Sequence, residues 1–295
     1  MPKSRLFYYL SALRPYQWVK NGFVLLPLVF GEKLVDPAAL KHVLVAFLAF
    51  CAAASGVYMI NDIADLEADK LHPVKKLRPL AQGHIAPAQA LGLALILLIT
   101  ALAAGFALNF SLGICLAAYI AGNFLYSHFL KHLVIVDVMA IGLFFLLRVV
   151  AGAVVIPVVI SDWLLICSGV LALFLGFNKR RHELLTIGQK AGGHRRVLEK
   201  YSIYFIDQMV AVLTASTVIF YTLYTVDAGT VANFGTNGLL FTVPFVYYGI
   251  FRYLYLVHKR RLGGDPARII LKDGMLQINL LLWLAAAIGV IYFAK

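Results

Sequence analysis

Asn61, Asp62, Asp65 and Asp69 form the run N-D-x-x-D-x-x-x-D, placed where the apolar stretch Leu40–Ile60 gives way to charge. On a continuing helix, carboxylates at i, i+3 and i+7 share one face. Acids held so close repel one another unless a cation sits among them. Hard oxygen donors of this kind suit Mg2+, which commonly joins a few carboxylates to the phosphates of a substrate. The run is therefore read as a metal site with ligands Asn61, Asp62, Asp65 and Asp69, the three acids being catalytic candidates. Lys70, Lys75, Lys76 and Arg78 follow directly and can donate to the same phosphates. The plainer alternative is a solvated acidic helix face ahead of a basic, topology-setting loop.

A second charged run, Asn178-Lys-Arg-Arg-His-Glu183, is its counterpart. Lys179 and Arg180, with Glu183 beside them, suit a second anionic substrate held by ammonium and guanidinium groups; topology-setting charge is again the alternative. Asp137 and Arg148 stand in otherwise apolar sequence. Eleven residues make about three helical turns, which puts both on one side, roughly 16 Å apart. Intramembrane charges usually face a cavity or a partner, so Arg148 is taken as part of a buried anion site, or as its support. Tyr126-Ser-His-Phe-Leu-Lys131 precedes them, with Lys131 its one cation, expected near a chamber mouth as a fourth catalytic candidate, and Tyr126 as a substrate contact. His128 and His132 have i, i+4 spacing, but no carboxylate motif joins them, and they read as interfacial. Lys20 can donate to phosphate or simply snorkel to the interface.

The elements that must position these groups are membrane helices. Hydrophobic residues make up 62% of the 295 and charged residues 14%, with a mean hydropathy of +0.85. Soluble globular chains carry about 25% charged residues. Apolar stretches of about 20 residues recur, each able to cross a hydrocarbon core. Nine spans are expected: 19–34, 39–60, 88–108, 111–127, 133–156, 162–177, 202–226, 239–257 and 270–293. Pro27 and Pro244 are expected to bend theirs.

Lys20, Arg252 and Lys272 fall inside the bounds of spans one, eight and nine and are counted with the N-terminal side they adjoin. On that count, the N-terminal segment and the loops after even-numbered spans hold every Lys and Arg except Lys33, Lys41, Arg148 and Lys295. That asymmetry puts the N-terminus and the Asp run in the cytoplasm. The net charge of +12 collects on this face, in short loops that suit anionic lipid and not nucleic acid. The segment before residue 19 reads as an interfacial helix, not a removable signal peptide. Cys51, Cys115 and Cys167 lie singly in apolar stretches and suggest neither a disulfide nor a metal site. No linker divides the chain, so 1–295 is read as one membrane domain, and a homo-oligomer is left open. The two Asn-led charged runs hint at internal duplication. The loops 61–87 and 178–201, with Pro73, Pro79, Pro87, Gly188, Gly192 and Gly193, are longer than a connection needs and are expected to wall a polar chamber.

Nine spans with these two charged loops resemble the UbiA superfamily of intramembrane prenyltransferases. Its typical members carry a second Asp-rich motif after span six, where this chain has Asn178-Lys-Arg-Arg-His-Glu183. Arg14-Pro-x-Gln-Trp-Val-Lys-Asn21, His72-Pro-Val-Lys-Lys-Leu-Arg-Pro79, Tyr126-Ser-x-x-Leu-Lys-His132, Leu147-Arg-x-x-Ala-Gly152 and Lys179-Arg-x-x-Glu183 are similar to the decaprenyl-phosphate phosphoribosyltransferases of the same superfamily. The resemblance implies an all-α polytopic membrane protein, its nine transmembrane helices surrounding a central cavity under a cytoplasmic polar chamber, in a bacterial cell membrane. It implies Mg2+-dependent transfer of phosphoribose from phosphoribosyl pyrophosphate to a polyprenyl phosphate, feeding arabinose donors for the cell wall. Two other readings stand beside it: an aromatic-acceptor prenyltransferase, against which the basic second loop counts, and a transporter of phosphorylated lipid or sugar, which has no need of metal-clustering Asp spacing.

Overall fold

A computed structural model describes residues 4–71, 74–187, 196–259 and 264–294. His72, Pro73, Gly188, Gly192, Gly193 and Lys295 lie outside the described residues. Regular structure among the described residues is helical throughout. In chain order it comprises α1 (Arg5–Leu13), α2 (Leu26–Phe30), α3 (Pro37–Ala64), α4 (Leu66–Leu71), α5 (Pro87–Leu108), α6 (Phe110–His128), α7 (Val136–Val154), α8 (Asp162–Ile187), α9 (Ile203–Val226), α10 (Ala228–Phe234), α11 (Val243–Lys259), α12 (Pro266–Lys272) and α13 (Gly274–Phe293), with short 3-10 turns between. Among the described residues, 8 helices are long and apolar enough to cross a membrane: α3, α5 to α9, α11 with the turn before it, and α13.

The stretch expected as the first span is built differently. Pro15–Leu25 form a 3-10 helix that runs into the short α2. Pro15 starts it, and Pro27 near the start of α2 lacks the N–H that a continuous α-helix would use there. A 3-10 helix rises about 2.0 Å per residue, so the two pieces together extend about 30 Å, the thickness of a hydrocarbon core.

Both charged runs also depart from expectation. α3 ends at Ala64, Asp65 turns out of the helix at φ −94°, ψ 9°, and α4 begins at Leu66. The acidic run is therefore two helices with a break at Asp65, a residue type that competes poorly for helix interiors. The second run, expected as loop from 178, lies inside α8, which continues to Ile187. Lys, Arg and Glu are strong helix formers, and Glu183 meets Arg180 at i+3 and Lys179 at i+4, the spacings that pair charges on a helix.

The chain divides into two compact units, one of Met1–Leu28, Asp36–Leu130 and Leu147–Val158, the other of Val29–Val35, Lys131–Leu146 and Val159–Lys295. In the first, α3 packs on α5, and small residues are buried along both: Ala46, Ala49, Ala53 and Gly56 on one helix, Ala90, Ala94 and Ala101 on the other, with Gly105 of α5 against Gly113 and Leu116 of α6. Such stripes let membrane helices approach closely; a Cβ on Gly56 would lie 2.9 Å from the Leu98 side chain. Asp36 caps α3 through the Ala38 and Ala39 N–H groups, with Pro37 at the first helical position, where no donor is lost. In the second unit α8 packs on α9, α9 on α11, and α11 on α13, around Phe174, Phe177, Ile206, Tyr253 and Leu256. Ser202 caps α9 and Asp273 caps α13.

Candidate active site

In the first unit, the break at Asp65 brings Asp62 and Asp69 to one cation. Both are buried, 3% and 2% exposed. A single nitrogen, Nη1 of Arg78, donates to Asp62 Oδ1 at 3.0 Å and also to Asp69 Oδ2. Arg14 pairs with Asp62 as well, and its guanidinium lies 5.2 Å from the centre of the Tyr58 ring. Lys75 Nζ stands 3.7 Å from Asp69 Oδ1. Asn61 Oδ1 accepts from Ser127 Oγ at 2.9 Å, one residue past the partly buried Tyr126. The Asp65 carboxylate is partly exposed and makes no hydrogen bond or ion pair among the described residues. Lys70 turns away to the exposed Glu67, at 2.6 Å.

Arg14 reaches this cluster from the junction of α1 and the 3-10 helix, where its φ of 53° is left-handed. Burial opposes its charge, but attraction and a hydrogen bond to Asp62 outweigh that, so the guanidinium is held above its usual range. Arg14 was not among the expected site residues. Its partner is 48 positions away, and only the Arg14–Asn21 motif hinted at it.

Deeper in the same unit, Arg148 is 4% exposed. Its Nε donates to Asn21 Oδ1 at 2.7 Å and its Nη2 to Tyr119 OH at 3.0 Å. The guanidinium also lies 4.6 Å from the Tyr119 ring centre and 5.8 Å from that of Phe50, within cation–π range. Asn21 in turn donates to Cys51 Sγ at 3.2 Å. Gly152 makes this possible: a Cβ there would stand 2.0 Å from the Val24 carbonyl oxygen, so only glycine lets α7 lie against the 3-10 helix carrying Asn21 and the partly buried Lys20.

Whether the acidic run can hold Mg2+ is answered by its donor chemistry. Among the described residues, no group of three or more His, Cys, Asp or Glu side chains is arranged to hold a metal alone. Mg2+ keeps several waters and is usually held by one or two carboxylates plus substrate phosphates. Asp62 and Asp69, both within hydrogen-bond reach of one cationic nitrogen, supply that pair. The residues fit the ion.

In the second unit, Asp137 and Arg180 form a fully buried ion pair, Nε to Oδ2 at 2.6 Å, both 0% exposed. Asp137 Oδ1 also accepts from Tyr201 OH at 2.7 Å. Arg180 Nη1 reaches Glu183 Oε2 at 2.6 Å, and Lys179 Nζ stands 3.9 Å from Glu183 Oε1. Burial, and then the hydrogen bond to Asp137, push the Tyr201 hydroxyl well above its usual range. Lys131 sits partly buried in a 3-10 turn, Leu130–His132, and makes no ion pair among the described residues. Asp137 and Arg148, expected on one side of a helix about three turns apart, serve separate networks, one in each unit.

The architecture is that of a polytopic helical membrane protein that buries acid–base clusters near the ends of its helices. Residues 23–281 match the family model described as the UbiA prenyltransferase family, and the chain belongs to that family and is a membrane-embedded transferase. It is 33% identical to a decaprenyl-phosphate phosphoribosyltransferase of Mycolicibacterium smegmatis, over 99% of this chain and 95% of that protein. Proteins of the same name from Mycobacterium tuberculosis and Corynebacterium glutamicum are each 32% identical, over 96% and 99% of this chain and 94% and 89% of their own lengths. A solved UbiA homologue of Archaeoglobus fulgidus, bound to GPP and Mg2+, shares the fold with a TM-score of 0.73 at 21% identity, covering 96% of this chain and 99% of that one.

Proposed function

We propose that this protein transfers the 5-phosphoribosyl group of phosphoribosyl pyrophosphate to a polyprenyl phosphate such as decaprenyl phosphate, releasing pyrophosphate. The observation that carries the reading is the buried pair Asp62 and Asp69, gathered on one nitrogen of Arg78 with Arg14 and Lys75 beside it. It pairs acids for a metal with cations for a diphosphate. The names of the relatives, and a second charged run that is basic instead of acidic, support a phosphorylated acceptor.

Asp62 and Asp69 would hold Mg2+, with Asn61 and Asp65 of the same run as the further candidate ligands, and the ion when bound supplies Lewis-acid stabilisation to the diphosphate. Arg78, Lys75 and Arg14 donate to diphosphate oxygens as the bond to the ribosyl C1 breaks and its electron pair leaves with pyrophosphate. An oxygen of the lipid phosphate forms the new bond to C1 from the opposite face, inverting that centre. A phosphate monoester is largely ionised at neutral pH, so no general base is needed. The chief contribution is then electrostatic stabilisation of the leaving group. Lys131, Tyr126, Lys179 and Lys20 are assigned to phosphate and sugar contacts. Arg180, with no exposed surface, supports Glu183 and Lys179 together with Asp137, and Arg148 supports the 3-10 helix that carries Lys20.

In this reading the chain is one domain of nine spans, the 3-10 helix and α2 being the first, with its N-terminus and polar chamber on the cytoplasmic side of a bacterial cell membrane. Its product feeds arabinan precursors. The test is transfer of label from phosphoribosyl pyrophosphate to decaprenyl phosphate by protein purified in detergent with Mg2+. Label should enter the lipid phase only when both substrates and the metal are present. Prenylation of 4-hydroxybenzoate by a prenyl diphosphate, with no lipid labelling, would point to aromatic prenyl transfer instead.

A further inference from the structure

One hydroxyl ties the charged residues of the second unit together. Tyr201 OH accepts from the Ile135 backbone N–H at 2.6 Å and donates to Asp137 Oδ1 at 2.7 Å. Ile135 has φ 69°, a region that β-branched residues scarcely enter. Across it, Val136 N–H donates to Val134 O at 2.8 Å. That is the pattern of a γ-turn with positive φ, which is rare and strained. The Ile135 carbonyl then accepts from the Val138 and Met139 N–H groups, both at 2.9 Å, so the strained turn is also the start of α7. Lys131 lies four residues ahead of it. From the carboxylate, the chain of bonds continues to Arg180 and Glu183 at 2.6 Å each, with Lys179 beside Glu183.

Strain of this kind persists only where the surroundings over-determine it, and it collects at functional sites. Ordinary packing would not require the hydroxyl, since phenylalanine would fill the same space. Without the hydroxyl, both the Ile135 N–H and Asp137 Oδ1 would each lose a partner.

We propose that Tyr201 is a positioning residue, whose hydroxyl locks the strained turn ahead of α7 onto the buried Asp137–Arg180 pair. It thereby sets the segment bearing Lys131 against the α8 turn bearing Lys179. The inference deepens the phosphate-binding role given to these lysines above, and rests on it.

The test compares Tyr201→Phe, Ile135→Gly and the double variant in the full-length protein in lipid. Tyr201→Phe should raise KM for phosphoribosyl pyrophosphate about tenfold while kcat changes less, the size expected for a lost charge-linked hydrogen bond. The rate at which an amine-reactive ester acylates Lys131, followed by peptide mass spectrometry, should change in parallel. Ile135→Gly adopts positive φ without strain, so it should leave both readouts near wild type. In the double variant it should bring KM back to within about threefold of wild type, a coupling that only linked residues show. Tyr201→Phe with KM and Lys131 acylation unchanged would overturn the proposal, as would a double variant no better than Tyr201→Phe alone. If Tyr201→Phe does not accumulate, Asp137→Asn cuts the same link from its other end, and unchanged KM and acylation there would overturn it equally. A wild type that ignores phosphoribosyl pyrophosphate would refute the phosphoribosyl reading, while Lys131 acylation would still decide the role of Tyr201.

Discussion

A carboxylate that is already neutralised and one that is not respond differently to losing their charge. Asp65 has no ion pair among the described residues, whereas Asp62 carries both Arg14 and Arg78. Asp65→Asn should therefore lower turnover by about 10²-fold or more, as for loss of one key electrostatic group, with thermal stability unchanged. Asp62→Asn should lower turnover as much, and should also cost about 1.5–3 kcal/mol of stability, the worth of a hydrogen bond to a charged partner. Initial rates at saturating magnesium and thermal unfolding in detergent separate the two. Near-normal turnover in Asp65→Asn would contradict the metal assignment. The acids themselves were legible, because their spacing is local. Arg14 and Tyr201 were not, since they meet Asp62 and Asp137 across 48 and 64 positions, and nothing in an isolated Arg or Tyr announces such a partner.

At the scale of elements, hydropathy reads length well, because hydrocarbon thickness sets it. It does not distinguish a 3-10 helix from an α-helix, and so the 3-10 build of Pro15–Leu25 was not anticipated. Nor does it see a helix continuing into charge, as α8 does past Asn178, where side-chain pairs on one face replace the membrane as the stabilising environment. The break at Asp65 had the same invisibility, since a single Asp within a helical pattern is ambiguous. Gly152 offers a direct check on how these elements are held. With the Val24 oxygen 2.0 Å from its missing Cβ, Gly152→Ala must push α7 off the 3-10 helix. Overpacking of this kind costs about 1–3 kcal/mol, and the shift would also loosen the Arg148–Asn21 bond. A lowered unfolding temperature in detergent is expected. Gly22→Ala, where a Cβ would meet nothing within 4 Å, should do far less, and equal effects would contradict the packing argument.

For the whole molecule, the charge asymmetry makes a topological claim that single cysteines can test in a background free of Cys51, Cys115 and Cys167. Val35 and Val159 are strongly exposed, 78% and 97%. Cysteines there should react with an impermeant maleimide outside intact cells, while cysteines at Ser4 and Lys76 should react only after permeabilisation. Outside labelling at Ser4 together with Val35 would mean that the 3-10 helix and α2 do not cross, leaving eight spans.

The central claim is that this membrane protein holds a sugar diphosphate through magnesium on its acidic run. Binding of labelled phosphoribosyl pyrophosphate to the purified protein, with and without magnesium, tests it most directly. The account predicts saturable binding with Mg2+, abolished by chelation and in Asp62→Asn, and no competition from a prenyl diphosphate. Equal binding in chelator, or displacement by a prenyl diphosphate at similar concentration, would contradict it.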